Sequence, residues 1–171
     1  MLQNGAIGAR RRGESGYRGA HNIEDCTVLC AQPDEALREI VVRALEGCRL
    51  VTAKSGLEAI HAMDAVHFNL YVLAHDLPEW SGLGLCRHIR KRDRYGPICF
   101  FTHTNAEGFR ASALACGADM VIVPTLDARA LRSQLAESLK FRLTRLTTCT
   151  TSRDGSGTVI RIVPERRATS S

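Results

Sequence analysis

Residues 70–82 read LYVLAHDLPEWSG. Four apolar residues, Leu70 to Leu73, make a run of strand length, too short for a helix. Ala74, His75 and Asp76 follow, and then a turn built around Pro78 and Gly82. In an α/β protein the residues at such a strand end often carry the chemistry, because ligands gather at the carboxyl ends of parallel strands. Here the residue at the mouth is Ala74, whose methyl group offers none.

The same unit recurs on both sides. Thr27 to Ala31 (TVLCA) predicts a strand, and Leu37, Ile40, Val41, Ala44 and Leu45 then fall on one helix face after Asp34. Gly47 marks the end of that helix at C′. Arg49 to Ala53 predicts a second strand, and Ser55 to Glu58 (SGLE) a capping box opening a helix to about Val66. After the third strand a helix is expected over about Leu83 to Lys91, then a strand over Pro97 to Phe101. Thr104 to Glu107 (TNAE) predicts a second capping box, on a helix ending at Gly117. Met120 to Val123 predicts the fifth strand, and Asp127 caps a last helix carrying Leu131, Leu135 and Leu139. The strands are continuous apolar runs, as required when helices cover both faces. The expected architecture is α/β: a doubly wound, flavodoxin-like (βα)5 fold with a five-stranded parallel sheet.

The residues just past the strands are therefore the candidate site: Gln32, Pro33 and Asp34; Ala74, His75 and Asp76; Thr102 and His103; Pro124 and Thr125. At this point the chain resembles response-regulator receiver domains of two-component signal transduction. VLCAQPDEALREI, LYVLAHDLPEWSGLGLCRHIR, PICFFTH and GADMVIVPTLDARALRSQL carry the likeness across residues 26–140. The resemblance implies a phosphoacceptor carboxylate at the Ala74 position, an acidic Mg²⁺-holding pair at Gln32 and Pro33, and a Lys at Pro124. It also implies a hydroxyl at Thr102 and a switch aromatic at Val121. Only Thr102 matches, with Asp34 beside the lost acidic pair. Phosphoryl transfer needs a nucleophile and compensation for the charge on the transferring oxygens. The chain thus resembles the aspartate-less, pseudo-receiver members of the family, for which no enzymatic activity, cofactor or metal is expected.

Several residues carry two readings. Asp76 is either a displaced acceptor, making the chain a conventional regulator in a phosphorelay, or a solvated loop residue. His75 and His103, with Asp34 or Asp76, offer donors suited to Zn²⁺ or Ni²⁺, but with no short two-ligand spacing, and His103 is also read as filler of the degenerate pocket. Arg87, Arg90, Lys91, Arg92 and Arg94 either complement a helix C-terminus or form an anion patch. Trp80 is either a contact residue or packed.

The chain has 171 residues, 44% hydrophobic and 24% charged, with a net charge of +5. That charge is uneven: +3 over residues 1–22, −2 over 23–140 and +4 over 141–171. The expected organisation is a basic, disordered N-terminal tail (1–22), a receiver-like domain (23–142) and a basic, mostly disordered C-terminal tail (143–171). Within the latter, Thr158 to Val163 is strand-like. Seven cysteines without a C-x-x-C spacing suggest reduced, mostly buried thiols. No apolar run reaches the ~20 residues of a membrane span. Arg10, Arg11 and Arg12 precede no apolar segment, so neither a signal peptide nor a membrane partner is expected, and the cytoplasm is. The functional expectation is a stand-alone adaptor working by protein contact. In the family such contacts use the face of the fourth helix, fifth strand and fifth helix. Nucleic-acid binding through the Arg-rich tails is a weaker alternative.

Overall fold

The computed structural model describes residues 23–103, 107–124 and 127–146. After a short 3-10 turn at Ile23–Asp25, the elements alternate: β1 (Thr27–Ala31), α1 (Glu35–Ala44), β2 (Arg49–Ala53), α2 (Gly56–Ala65), β3 (Leu70–Leu73) and α3 (Gly82–Arg92). Then come β4 (Ile98–Phe101), α4 (Glu107–Ala115), β5 (Met120–Ile122) and α5 (Ala128–Leu146). The strands form one sheet in the order β2-β1-β3-β4-β5, and every pair is parallel. This is the expected (βα)5 doubly wound architecture.

Side chains alternate across the sheet even though the sequence pattern does not. Leu29, Tyr71, Leu73, Ile98 and Phe100 pack with α2, α3 and α4. Val28, Cys30, Leu70, Val72, Cys99 and Phe101 pack with α1 and α5 on the other face. Both faces are dry, so a strand residue has no outlet for a polar group except at the strand ends.

Caps fix where the helices begin. The Asp34 carboxylate accepts from Leu37 N at 2.9 Å, and Ser55 Oγ from Glu58 N at 3.2 Å. Glu58 returns to Lys54 N at 2.7 Å, one residue before the cap, so the SGLE box closes with a one-residue offset. Asp127 accepts from Arg129 N and Ala130 N. α3 starts at Gly82, because Ser81 accepts from Gly84 N at 3.1 Å. At its far end α4 closes with paired bonds, Gly117 N to Leu114 O and Ala118 N to Ala113 O, with Gly117 at φ +101°. Gly47 lies one residue later than the C′ position, in the turn that Cys48 N closes onto Leu45 O. β5 ends at Ile122, and α5 runs past residue 142, so a domain boundary there falls inside a helix. Residues 104–106 of the TNAE box and the segments 1–22 and 147–171, with Thr158 to Val163, lie outside the described residues.

The basic end of α3 is not one patch. Arg90 is turned inward, donating to Gly117 O at 2.7 Å, Gly96 O at 2.5 Å and Asp119 Oδ2 at 2.8 Å. Asp119 Oδ2 also accepts from Ile98 N, which ties α3, β4 and β5 together at the amino edge. Arg92 instead pairs with Asp64 of α2 at 2.6 Å.

Burial pushes the Cys26 and Cys86 thiols up to about 11, and those of Cys30 and Cys99 up to about 12, from an ordinary 9.0. The folded chain therefore holds protons that the unfolded chain gives up near pH 9. This contribution to stability is complete below about pH 9 and is lost as pH rises towards 12. The urea midpoint should fall between about pH 8 and pH 10.5. Cys99→Ala should make that fall shallower, and identical pH slopes for parent and variant would contradict it.

Candidate functional site

The carboxyl edge is built by the turns that follow β1, β3, β4 and β5. Gln32 continues β1 by donating its N–H to Ala53 O at 2.9 Å, and Ala74 continues β3 by donating to Ala31 O at 2.8 Å. β3 lies between β1 and β4 in the sheet. Yet Gln32 Nε2 donates to Phe101 O, at the end of β4, at 3.2 Å. The Gln32 side chain therefore crosses the end of β3 beside Ala74. Its Oε1 accepts from Asp34 N at 3.2 Å, so both ends of the buried amide are engaged. Ala74 is only 5% exposed. The chain returns tightly behind it: a Cβ on Gly82 would lie 2.0 Å from Ala74 O, which explains a glycine at the first turn of α3.

Arg38 closes the β1 side. Its Nη1 donates to Gln32 O at 3.0 Å and Pro33 O at 3.2 Å, and its Nη2 reaches Glu35 at 3.4 Å. The sequence reading passed over this residue. Its place one turn after the Asp34 cap was the available signal, since an arginine there can fold back over the preceding loop.

The remaining candidates do not converge. Asp76 points away, its side chain 91% exposed. His75 lies edge-on against Phe109 with ring centroids 4.3 Å apart. Its Nδ1 is 3.1 Å from Asp76 Oδ1 but is buried and makes no hydrogen bond. Thr102 is buried and donates its N–H to Ile122 O at 3.2 Å. His103 is exposed, and Pro124 is half-buried. No three His, Cys, Asp or Glu side chains gather as metal ligands among the described residues. The donors also fit Mg²⁺ poorly. Mg²⁺ asks for octahedral oxygen ligands with one or two carboxylates, whereas Gln32 is committed at both ends, Pro33 has no donor side chain and Asp34 caps α1.

The turn after β3 carries a second feature. Glu79 has φ +67°, and Trp80 N and Gly56 N both donate to Pro78 O, at 2.8 and 3.3 Å. Trp80 answers both of its readings: its ring packs at a 55° tilt against His88, centroids 5.2 Å apart, while 38% of the residue stays exposed. A separate hollow of about 480 Å³ at the amino edge belongs to neither feature. Its lining includes the Arg92–Asp64 pair and the Tyr71–Asp93 hydrogen bond.

The fold is that of a known family, and the profile of the response regulator receiver domain matches residues 28–136. The chain belongs to the response regulator receiver family. The receiver is 31% identical over 130 residues to the probable transcriptional regulator ycf27 of Cyanophora paradoxa, covering 75% of this chain and 54% of that protein. It is 36% identical over 94 residues to the transcriptional regulatory protein TrcR of Mycobacterium tuberculosis, covering 54% of this chain and 37% of that protein. The receiver thus spans about half or less of the length of these relatives. Among solved structures, the Vibrio cholerae chemotaxis protein CheY4 superposes with TM-score 0.63 at 20% identity, over 67% of this chain and 98% of that one. The receiver domain of the Pseudomonas aeruginosa sensor histidine kinase PA1611, with a magnesium ion coordinated in its active site cleft, gives TM-score 0.61 at 18% identity, over 68% and 98%. These two likenesses concern the fold. No helix among the described residues is long and apolar enough to cross a membrane.

Gln32→Ala should leave Phe101 O and Asp34 N without their partner and cost about 1–3 kcal/mol. The measurement is the denaturant midpoint, with the slope unchanged. A midpoint equal to the parent's would show that water replaces both bonds.

Proposed function

We propose that this receiver signals by protein contact and does not pass through a phosphorylated state. The observation that carries the reading is the Gln32 side chain, laid across the end of β3 and bonded to Phe101 O. Taking Ala74 as the acceptor position, that side chain fills the approach to it. Position 74 then holds no nucleophile, positions 32 and 33 no carboxylate pair for a metal, and position 124 no lysine. Arg38 is the cation held there, and it is spent on the Gln32 and Pro33 carbonyls. Such a chain acts as an adaptor rather than a catalyst. The α4–β5–α5 face is the contact surface we assign to it, with Leu114 and Val123 exposed on it. The relatives' names make them transcriptional regulators, and nucleic-acid contact through the Arg-rich ends is the less supported route.

Intact-mass measurement after treatment with acetyl phosphate and Mg²⁺ tests the reading. The expected outcome is no gain of phosphate. Ala74→Asp alone should restore little. The new carboxylate still lacks the metal and the cation, and losing one such electrostatic partner typically costs ~10²-fold in rate. A single phosphate on the parent chain that vanishes in Asp76→Ala would overturn the proposal in favour of a displaced acceptor in a conventional phosphorelay.

A further inference from the structure

The turn between β3 and α3 forms one wall of two adjoining hollows. The larger, about 590 Å³, lies between Pro33 and the stretch from Asp76 to Ser81. The smaller, about 240 Å³, is lined by Leu57, Glu79 and Trp80. Glu79 and Trp80 line both, so the two read as one groove running from the β1–α1 turn to the start of α2.

Its floor is apolar where a surface is normally polar. Trp80 is 38% exposed and Leu57 48% exposed, and both belong to the smaller hollow. An exposed tryptophan is a common contact anchor, and Leu57 adds apolar area beside it. Both ionisable side chains lining the groove are carboxylates, Asp76 and Glu79. The guanidinium near its Pro33 end, Arg38, is turned onto the Gln32 and Pro33 carbonyls.

The wall is also pre-shaped. Glu79 sits at φ +67°, a conformation that costs a non-glycine residue energy and persists only when its surroundings impose it. They do so here. Pro78 O is shared by Trp80 N and Gly56 N, and a Cβ on Gly56 would lie 2.6 Å from Trp80 Cβ. The loop is therefore seated on the first turn of α2 at a distance that only glycine permits. A wall ordered in advance loses less entropy when a partner arrives.

We infer that this groove docks an extended peptide from a partner protein. The peptide carries an arginine or lysine next to an apolar residue. The apolar residue packs on Leu57 and the edge of Trp80, and the cation lies between the indole and the Asp76 and Glu79 carboxylates, where ring and acids both favour it. The inference rests on the contact reading above and adds to it a second surface, apart from the α4–β5–α5 face. Its test involves no phosphoryl chemistry, so either can fail without the other.

The test selects a phage-displayed library of random twelve-residue peptides on the full chain, with a double Asp76→Lys, Glu79→Lys chain as counter-target. Trp80 is the only tryptophan in the sequence, so its emission reports binding of each synthesised winner. The expected winners place Arg or Lys beside Leu, Ile or Pro and shift that emission. They should bind the double variant at least tenfold more weakly, and should weaken as salt is raised. Circular dichroism on the double variant confirms its fold, and Leu57→Asp, changed at an exposed position, gives a second disruption of the groove. Winners that are acidic, or that bind the parent and both variants equally, overturn the inference. So does enrichment that appears only after Arg10, Arg11 and Arg12 are changed to Glu, since the groove would then be taken by the chain's own basic segment.

Discussion

A parallel sheet buried on both faces leaves its strands nowhere to be polar except at their ends, and the arrangement of this molecule follows from that. Val28, Leu29, Leu70, Tyr71, Phe100 and Phe101 are all sealed beneath helices. Any group able to bond, bind or react is therefore pushed into the turns. At the amino edge those turns are locked by Arg90, which gathers Gly96, Gly117 and Asp119 around one guanidinium. At the carboxyl edge the equivalent task falls to Gln32 and Arg38, two side chains that bond backbone groups rather than a ligand. The two edges thus share a strategy: polar side chains saturate the backbone carbonyls left open at the turns and strand ends.

A carboxylate at position 32 could not donate to Phe101 O as the Gln32 amide does. The Gln32 and Arg38 contacts are mutually consistent: a neutral amide closes β1 to β4, and a fixed cation ties down the loop it came from. Restoring one acidic residue would leave that closure in conflict with the newcomer. For this reason the edge behaves as a repacked structural joint in our reading, and not as a receiver site with one part removed.

How much of this could be read from the residues follows their range. The helix starts at Asp34, Ser55 and Asp127 were legible because a cap and its amide are two or three residues apart. Ser81 was not, because Gly82 and Gly84 blur the apolar period of the turn it caps. The sheet and its five strands were legible from runs of apolar residues, but their alternation was hidden, since both faces are equally apolar. At the site, the identities of Gln32, Ala74, Thr102 and Pro124 were plain. The bridge from Gln32 to Phe101 spans 69 positions and exists only once β3 is placed between β1 and β4. The positive φ of Glu79 carried no sequence signal, as glutamate has no preference for that region.

The tight seat of the β3–α3 turn links the two ends of the argument. The turn is clamped at both ends, by Gly82 N on His75 O and by Gly56 N on Pro78 O. Between the clamps sits a strained Glu79 next to the half-exposed indole of Trp80. Strain held in place by surrounding hydrogen bonds favours one conformation over an ensemble. A surface with one conformation suits a constitutive contact better than a switched one. On the proposed reading, the bonds that close the edge around Ala74 and seat this turn would also supply the rigidity that a permanent docking surface needs.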